Sequence, residues 1–408
     1  MRTNVNIARS SLNNLTSVSV GINNIIEDFA KGYNNPLTIP PEIWGSPAWE
    51  LIDKKTLEEI FLQIIKFNIE RVKRAMPLVY KKVYDEKDIR SGTINTMEDF
   101  WHVPLLVKDA SIDGISFREK VKENPFILLP NDVKKGISVY KSGGTKGIAT
   151  PTFLTDLDRE IESHSVKKCF EYMGIKPGDI ALSTYNPTHK GGELIKEAMN
   201  KLGATFIQRR TTDIPEEVIK TIDMYNVNVL ATVQGSVEEG DRTKKGGGVD
   251  FLSLVEAGQD ILEKKVERLF LTGYKLLPEV ITWSETFKKN LTTALGSSEA
   301  IAQATSTSHP DGLCKFNNMH ILNGPHYVEV LKLESGSMVP VKKGEEGILV
   351  YTTLAREGTL YIRYSPGDLA KIIADEGECK CGLNSRILTD IRRADIPEDV
   401  ITAGCCIG

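Results

Sequence analysis

A short glycine-rich stretch carries the residue types that bind phosphate groups. It consists of Ser142, Gly143, Gly144, Thr145, Lys146 and Gly147. Glycine lets the backbone come close to an anion, and exposed N–H groups, hydroxyls and the lysine ammonium then donate to phosphate oxygens. The preceding run, residues 136–140, predicts a strand, but the spacing of a Walker A loop is absent. The stretch therefore predicts a phosphate-binding loop, with a polar hairpin loop as the alternative.

Three cysteines and one histidine, arranged as two pairs along the chain, have the composition of a metal site. Cys314 and His320 form the first pair, and Cys379 and Cys381 form the second, which is followed directly by Gly382. Three thiolates and one imidazole suit a tetrahedral structural Zn²⁺ ion, and the glycine permits a tight turn. The alternative is four unrelated side chains. A zinc ion here would join the start of a β-rich segment to its end.

Length and composition indicate an ordinary soluble globular protein. The chain has 408 residues, of which 40% are hydrophobic and 26% charged, and its net charge is −4. This length allows large cores and two or three subdomains. No block of like charges suggests a nucleic-acid or membrane surface, and no apolar run approaches the ~20 residues that span a bilayer. Without the apolar region of a signal peptide, a cytoplasmic location is expected.

Strand and helix patterns alternate through the middle of the chain. Before them, apolar residues at helical spacing predict a packing helix within residues 56–79. The alternating elements are strand 179–183, helix 191–202, strand 204–207, helix 214–225, strand 227–233, helix 252–264 and strand 268–272. Such alternation predicts an α/β fold with a mostly parallel sheet covered by helices. Ligands of these sheets bind beyond the carboxyl ends of the strands.

The pattern changes after residue 320. The runs 327–333, 347–353 and 359–364 are short, rich in β-forming residues and separated by turns, which predicts a smaller antiparallel subdomain. The sequence therefore predicts four parts. They are a mainly helical segment (1–80), an αβ core (81–319), a β-rich subdomain (320–395) and a short tail (396–408).

Several further segments give the glycine-rich stretch a context. In chain order they are Met97 to Leu105, Leu295 to Glu299, Gly347 to Leu354, Thr353 to Gly358, Ile362 to Leu369, Cys379 to Gly382 and Arg392 to Asp395. In this order and at these distances, the chain resembles the adenylate-forming (acyl-activating) enzyme superfamily, and most of all its phenylacetate–CoA ligase branch. The resemblance covers roughly residues 75 to 395, and the motifs are specific jointly rather than singly.

The resemblance implies a fold and an activity. The fold would be the large αβ core of these enzymes, with parallel sheets and helices, plus a smaller β-rich subdomain. The activity would be ATP-dependent conversion of a small carboxylic acid to acyl-AMP with release of pyrophosphate, followed by transfer to a thiol of CoA or of a protein cysteine. The core (81–319) would then bind the nucleotide, and the cofactors would be ATP or AMP, Mg²⁺ and one structural Zn²⁺.

The resemblance also assigns roles to residues. Residues 142–147 would hold the β- and γ-phosphates, with Lys146 among the catalytic groups. Glu299 would help to hold Mg²⁺, a hard cation that prefers oxygen ligands, and Asp368 would accept hydrogen bonds from the ribose hydroxyls. Arg393 would lie near ribose or phosphate as a third catalytic group. The other expected nucleotide contacts are Gly273, Tyr274, Gly296, Ser297 and Ser298.

Two departures from the family pattern concern the substrate. Leu295 replaces the family's tyrosine before the Gly-x-Ser-Glu motif, so Tyr274 would have to supply the adenine contact. The acyl-pocket segment runs from Tyr185 to Lys190 and is more polar than a pocket built for phenylacetate. Tyr185 and His189 are the substrate candidates there. His189 could bind a substrate carboxylate, or it could be a solvated loop histidine.

A third departure concerns the end of the chain. Family members continue for about a hundred residues beyond the hinge, the size of an added domain, whereas thirteen residues follow Asp395 here. We therefore expect slower adenylation, a partner chain that replaces the missing domain, or an acyl acceptor on Cys405 or Cys406. A homodimer is also expected.

Two other functions stay open at this point. One is adenylyl transfer to a phenolic cofactor hydroxyl, which some relatives perform and which needs no thiol step. The other is a catalytically weak nucleotide-binding subunit that works with a partner chain. Pyrophosphate release with a panel of acids separates acid activation from the weak nucleotide-binding subunit, and the identity of the acceptor separates acid activation from adenylyl transfer to a phenolic hydroxyl.

Overall fold

The structure, a computed structural model, describes most of the chain. The described residues are 35–108, 111–112, 115–141, 150–210, 212–234, 249–272, 275–307, 309 and 311–393, with residues 23, 26, 27 and 400. Several candidate residues therefore lie outside the described part. They are the glycine-rich stretch 142–147, the adenine candidates Gly273 and Tyr274, and the tail cysteines Cys405 and Cys406.

Ten α-helices lie in the described residues. They are α1 (Pro41–Trp44), α2 (Lys54–Ala75), α3 (Pro77–Glu86), α4 (Met97–Phe100), α5 (Phe117–Glu123), α6 (Asp156–Tyr172), α7 (Lys190–Lys201), α8 (Pro215–Tyr225), α9 (Phe251–Lys265) and α10 (Pro278–Thr286). Short 3₁₀ helices cover Pro36–Thr38, Pro47–Leu51, Ser91–Thr93 and Pro125–Leu128.

Most strands of the described residues belong to one large sheet. The strands are β1 (Leu106–Val107), β2 (Ser111–Ile112), β3 (Ile115–Ser116), β4 (Ser138–Lys141), β5 (Pro151–Leu154), β6 (Ile180–Ser183), β7 (Thr205–Gln208), β8 (Val229–Val233), β9 (Arg268–Thr272), β10 (Asn290–Leu295), β11 (Ala304–Thr305), β12 (Met319–Ile321), β13 (His326–Glu334), β14 (Ser337–Pro340), β15 (Glu346–Thr353), β16 (Tyr364–Ser365), β17 (Asp368–Ala374) and β18 (Ile387–Arg393). Fourteen of them form the sheet, in the order β1-β16-β15-β17-β18-β12-β11-β10-β9-β8-β6-β7, with β13 and β14 attached to β15. The pairs β2–β3 and β4–β5 form separate hairpins.

One end of the large sheet is parallel, as the alternating pattern predicts. Strands β10, β9, β8, β6 and β7 run in the same direction. In β8, Val229 and Ala231 contribute to the core shared with α6 and α7, whereas Leu230 contributes to the core shared with α8, α9 and α10. Alternate residues of a strand point to opposite faces, so helices cover both faces. All five carboxyl ends therefore lie at one edge of the sheet.

The other end of the sheet is mainly antiparallel and carries the first helices. Strands β11 to β18 pair antiparallel with one another, as the short β-type runs predict. The apolar stripe of α2 is buried against this part of the sheet in one hydrophobic core. The Asn68 side-chain amide donates to the carbonyls of Thr353 and Leu354 at 3.0 and 2.9 Å. This packing fixes the loop that follows β15.

Two local predictions differ from the structure. The predicted helix 56–79 is two helices, since Pro77 starts α3 and has no N–H to continue α2. The predicted strand 359–364 is wrong except at its end, where β16 begins. Arg363 has a φ of +47°, which an extended strand does not accommodate, and the Ile362 N–H donates to the Tyr80 hydroxyl instead of a neighbouring strand. Among the described helices, none combines the length and apolar character that crossing a membrane requires.

Two neighbouring buried tyrosines allow a matched test of this packing. Tyr80 Oη donates to the Leu360 carbonyl and accepts from the Ile362 N–H, both at 3.1 Å. We expect Tyr80→Phe to lower the free energy of unfolding by about 1–3 kcal/mol, because it leaves two buried backbone groups unpaired. Among the described residues the Tyr84 hydroxyl has no hydrogen-bond partner, so Tyr84→Phe should cost nothing. Urea denaturation measures both values, and equal losses would contradict this role of Tyr80.

Candidate functional site

A cavity of about 450 Å³ opens at the carboxyl ends of the parallel strands. Tyr185, Val233, Thr272 and Leu295 line it at or just beyond the ends of β6, β8, β9 and β10. The other lining residues are Lys108, Val166, Cys169, His189, Lys190, Gly191, Ile195, Phe270, Ala294, Gly296, Ser297, Ser298, Glu299, Ile301, Ala302, Pro366 and Arg393. The structure thus brings together six of the predicted site residues, namely Tyr185, His189, Gly296, Ser297, Ser298 and Glu299, with Arg393 as a seventh.

Glu299 lies on the turn that follows β10 and is 2% exposed. One carboxylate oxygen is 3.5 Å from Lys108 Nζ and 3.5 Å from the Tyr364 hydroxyl. The turn is held by its own small residues, since the Ala300 N–H donates to Ser297 Oγ at 3.0 Å. Among the described residues this carboxylate has only these long side-chain contacts, so it can accept a cation at modest cost, and Mg²⁺ prefers such oxygens.

Asp368 and Arg393 pair across neighbouring strands. They lie opposite each other in β17 and β18, and Arg393 NH1 is 3.3 Å from Asp368 Oδ1. The same guanidinium nitrogen donates to the Pro366 carbonyl, which also lines the cavity. Arg393 is 41% exposed and Asp368 is 19% exposed. The pair therefore lies at the boundary between the cavity and solvent.

Tyr185 is fixed by the ends of the neighbouring strands. Its hydroxyl donates to the Thr232 carbonyl at 2.7 Å, lies 2.8 Å from Thr272 Oγ1 and accepts from the Thr272 N–H at 2.9 Å. Burial raises the pKa of Tyr185 to about 12. Because its hydroxyl is hydrogen-bonded within the protein, Tyr185 contributes its ring to the cavity wall. The same hydrogen bonds hold the ends of three strands together.

His189 is the N-cap of α7. Its Nδ1 accepts a hydrogen bond from the Gly191 N–H at 3.2 Å, which satisfies one of the unpaired donors of the first helical turn. His189 is exposed at the cavity edge, and partial desolvation of its ring together with the neighbouring Lys190 cation lowers its pKa. The ring is therefore neutral near pH 7, with its proton on Nε2. It can donate a hydrogen bond from Nε2 but carries no positive charge for a carboxylate.

The sequence did not reveal three charged residues beside the cavity. Lys190 is the first residue of α7, Glu162 lies on α6 and Arg356 follows β15, and all three are buried. Lys190 Nζ lies 2.7 Å from Glu162 Oε2, and Arg356 NH2 donates to Glu162 Oε1. Arg356 belongs to a segment that resembles the family and Lys190 ends a segment that departs from it, but nothing in the sequence pairs either residue with Glu162.

The last described residue before the glycine-rich stretch contacts the Glu299 turn. Residues 142–147 lie outside the described part, but Lys141, the last residue of β4, is described. Its carbonyl accepts a hydrogen bond from Ser298 Oγ at 3.3 Å. Lys141, one residue before the stretch, therefore lies next to the turn that carries Glu299.

The four predicted zinc ligands lie together, away from this cavity. The ligand atoms of Cys314, His320, Cys379 and Cys381 are all within 4.8 Å of one another. His320 Nε2 is 3.1 Å from Cys381 Sγ, and Cys379 Sγ is 3.5 Å from Cys314 Sγ. Tetrahedral Zn²⁺ with Zn–S bonds of about 2.3 Å places its sulfur ligands about 3.8 Å apart. The cluster therefore has the dimensions of a zinc site.

The surroundings of the cluster also match those of a structural metal site. His320 Nδ1 lies 2.9 Å from the Ser385 carbonyl, an acceptor that directs the lone pair of Nε2 toward the cysteines. The hydrogen bond between Cys314 and Cys381 lowers the pKa of Cys314 and raises that of Cys381, so these two thiols interact strongly. Gly382 has a φ of +89°, as the turn after the second cysteine pair requires.

Comparisons with known proteins agree with this geometry. No protein-family model matches the chain. The phenylacetate–coenzyme A ligase of Thermus thermophilus is 23% identical over 330 residues, which are 77% of this chain and 66% of that protein. The enzyme of the same name from Escherichia coli is 20% identical over 335 residues, or 78% and 67%. The chain is a relative of the phenylacetate–CoA ligases in the adenylate-forming superfamily. It spans about two thirds of the length of these curated relatives.

Solved structures show the same fold. A 2-hydroxyisobutyryl-CoA ligase with 2-HIB-AMP and CoA superposes with a TM-score of 0.68 at 18% identity, over 85% of this chain and 70% of that one. Its postadenylation state with 2-HIB-AMP gives 0.67 at 17% identity, over 84% and 68%. The predicted α/β fold, with its parallel strands and covering helices, is thereby confirmed.

The cap formed by His189 has a measurable energetic role. We expect His189→Ala to lower the free energy of unfolding by about 1 kcal/mol, because the first turn of α7 loses its side-chain acceptor. His189→Asn is the matched control, since an asparagine oxygen also caps helices and should retain most of this stability. Thermal denaturation at pH 7 measures both variants. An unchanged stability of His189→Ala would show that the cap has no effect.

Proposed function

We propose that the protein uses ATP to convert a small carboxylic acid to acyl-AMP and pyrophosphate and then transfers the acyl group to the thiol of CoA. The observation that carries the proposal is the position of Glu299. This buried carboxylate lines the cavity at the carboxyl ends of the parallel strands together with Arg393, on a turn whose Ser298 donates to the carbonyl of Lys141, the residue before the glycine-rich stretch. The curated relatives are named for acid–CoA ligation, which supports the same reaction class.

The charges around the cavity suit adenylation. Glu299, a residue that fits Mg²⁺, would hold the ion against the phosphates, where the cation would supply positive charge for the leaving pyrophosphate. Lys108 would add a second cation next to Glu299. Lys146 belongs to the stretch proposed to bind the β- and γ-phosphates. Catalysis of this kind is electrostatic, because the protein stabilises charge on the phosphates while the substrate carboxylate attacks in line.

Asp368 and Arg393 would hold the nucleotide at the mouth of the cavity. Asp368 offers acceptors for the ribose hydroxyls. Arg393 has donors beyond those used by Asp368 and the Pro366 carbonyl, since a guanidinium carries five N–H groups. We propose that these donors bind ribose or phosphate oxygens. Gly273 and Tyr274 directly follow Thr272 in the cavity wall and are proposed to contact adenine.

The remaining wall favours an acid with an apolar body. Val166, Ile195, Phe270 and Ile301 line the cavity, and the Tyr185 hydroxyl is bonded within the protein. A volume of about 450 Å³ shared with a nucleotide leaves room for a small acyl group. CoA is the proposed acceptor, because the structures with the same fold hold 2-HIB-AMP and CoA.

The cluster of Cys314, His320, Cys379 and Cys381 is proposed to hold one structural Zn²⁺ ion. Its ligands come from β12, from the segment before β12 and from the turn between β17 and β18. An ion there would hold together chain segments separated by about sixty residues, as structural zinc sites do. The division into segments 1–80, 81–319, 320–395 and 396–408, a homodimer and a cytoplasmic location stay predictions.

The proposed activity has a direct test. Purified protein with ATP, Mg²⁺ and a panel of small aliphatic and aromatic acids should release pyrophosphate, and added CoA should yield the thioester. We expect Arg393→Gln to weaken ATP binding about 10- to 100-fold, because it loses charge-assisted hydrogen bonds. Arg392→Gln is the matched control, since the neighbouring Arg392 pairs with exposed Glu346 on the surface. Equal ATP affinity of both variants in calorimetry would remove Arg393 from the site.

The zinc proposal is tested separately. Elemental analysis of protein purified without added metal should find about one zinc per chain, as expected for a four-ligand site. Removal of the ion by a chelator should lower the melting temperature, because metal binding contributes to folding free energy. Cys381→Ser should reduce zinc content, whereas Cys169→Ser, which changes a buried cysteine outside the cluster, should leave it unchanged. Metal-free protein with an unaltered melting temperature would refute the site.

A further inference from the structure

Three buried charges lie directly behind the turn that carries Glu299. Lys190, Glu162 and Arg356, here called the buried triad, each have side chains no more than 2% exposed. The Glu162 carboxylate lies between the two cations, with Lys190 Nζ 2.7 and 2.8 Å from its two oxygens. The triad carries a net charge of +1, because two cations share one carboxylate.

Both cations of the buried triad donate to the backbone of the turn. Lys190 Nζ donates to the Ser298 carbonyl at 2.9 Å. Arg356 NH1 donates to the Glu299 carbonyl at 2.8 Å. The carbonyls of two consecutive residues are thus held by two cations that one carboxylate joins. Hydrogen bonds from charged donors are roughly twice as strong as neutral ones, so the backbone on both sides of the Glu299 Cα has little freedom.

The buried triad draws on three separate elements. Lys190 starts α7, Glu162 lies in the middle of α6 and Arg356 follows β15. One turn before Glu162 on α6, the Asp158 carboxylate accepts from the N–H groups of Glu357 and Gly358 at 2.6 and 2.9 Å. The loop that carries Arg356 is therefore fixed to α6 at two successive helical turns, and Arg356 cannot move independently of Glu162.

Burying these three charges has a desolvation cost that apolar residues of the same volume would not have. A buried ion pair is often no more stabilising than apolar residues of the same volume, whereas removal of one partner is strongly destabilising. Burial lowers the pKa of Lys190 to about 8, which shows the cost of holding this ammonium away from water. His326, which is also buried nearby, has its pKa held well below the usual value by burial and by Arg356 and Lys190, so it adds no charge.

We propose that Lys190, Glu162 and Arg356 are positioning residues that fix the Ser298–Glu299 backbone so that the Glu299 carboxylate is preorganised for Mg²⁺ and the phosphates. The proposal rests on the proposed adenylation activity. Its physical basis is that a group held in place before the ligand binds loses little conformational freedom on binding. None of the three needs to contact the substrate for this role.

The chain contains a matched control for Lys190. Lys168 is also a lysine with 1% exposed side chain, paired with a buried glutamate, Glu50, at 3.0 Å. It also donates to a backbone carbonyl, that of Asn323. Lys168 makes none of the hydrogen bonds to the Glu299 turn. Lys168→Met therefore removes a pair of the same kind and burial without touching the turn.

Amide hydrogen exchange of the protein without ligands tests the positioning directly. The protected amides of the turn are those of Ser297, Ala300 and Gln303, which donate to Ala300 O, Ser297 Oγ and Leu295 O. We expect Lys190→Met to raise exchange in peptides that cover residues 295–303 by at least about tenfold, and Lys168→Met to leave them unchanged. This readout does not depend on catalysis, so it stands even if the proposed activity fails.

The second readout is the Mg²⁺ dependence of pyrophosphate release. We expect Lys190→Met to require about tenfold more Mg²⁺ for half-maximal rate with the KM for the acid unchanged, and Lys190→Arg to recover part of this loss. Lys168→Met should keep the wild-type Mg²⁺ dependence. A rise in the KM for the acid alone would overturn the proposal and assign Lys190 to substrate binding instead. Absence of pyrophosphate release in the wild-type protein would count against the proposed function only.

A variant that conserves the net charge of the buried triad distinguishes a loss of positioning from unfolding of the protein. Glu162→Gln combined with Lys190→Met keeps the net charge of the buried triad at +1 and leaves no carboxylate unpaired. We expect this double variant to fold and to show the same faster exchange and raised Mg²⁺ requirement as Lys190→Met. Wild-type exchange in residues 295–303 of the folded double variant would refute the positioning role.

Discussion

The structure depends on hydrogen bonds to the buried backbone N–H and carbonyl groups of one loop, residues 353–359. Backbone groups removed from water must find partners, and two helices supply them to this loop. Side chains of α2 donate to its carbonyls through Asn68 and Arg71. Asp158 of α6 accepts from two of its N–H groups. A Cβ at Gly358 would lie 1.9 Å from the Phe153 carbonyl oxygen, so the loop also requires a glycine where it passes β5. The antiparallel strands, the first helices and the parallel sheet are joined here.

The loop at residues 353–359 is connected to the candidate site through one side chain. Arg356 leaves the loop and reaches both Glu162 and the Glu299 carbonyl. The edge of the parallel sheet, where Glu299 lies, is therefore tied to the antiparallel part, where Asp368 and Arg393 lie. A site assembled from both parts needs such a connection, since an error of about 1 Å in the position of catalytic groups is costly. Rigidity behind the turn and a cavity in front of it are consistent with a preorganised electrostatic site.

The local elements could be predicted with good accuracy. Strand 268–272 has the predicted bounds, and helices α7, α8 and α9 begin and end within one residue of their predictions, because periodic apolar residues and caps are local signals. The grouping of Cys314, His320, Cys379 and Cys381 could also be predicted, since cysteine and histidine residues in pairs are typical metal ligands. The strand expected at 359–364 could not be excluded from sequence, because a positive φ at Arg363 and a hydrogen bond to the Tyr80 hydroxyl depend on a helix far away in the chain.

By itself the sequence determined the α/β class, the order of the elements, the resemblance to adenylate-forming enzymes and the residue types of the site. The class and the order of the elements follow from the spacing of apolar residues along the chain, whereas the candidate site residues follow from the resemblance of several motifs to that family. Only the tertiary structure decided that the Tyr185 hydroxyl is bonded to strand ends, that His189 caps a helix and that Lys190, Glu162 and Arg356 meet behind Glu299. Glu162 is separated along the chain by 28 positions from Lys190 and by 194 positions from Arg356. Contacts over such separations leave no periodic signal in the sequence. They are set by how helices pack on a sheet, and burial then decides which charges must pair.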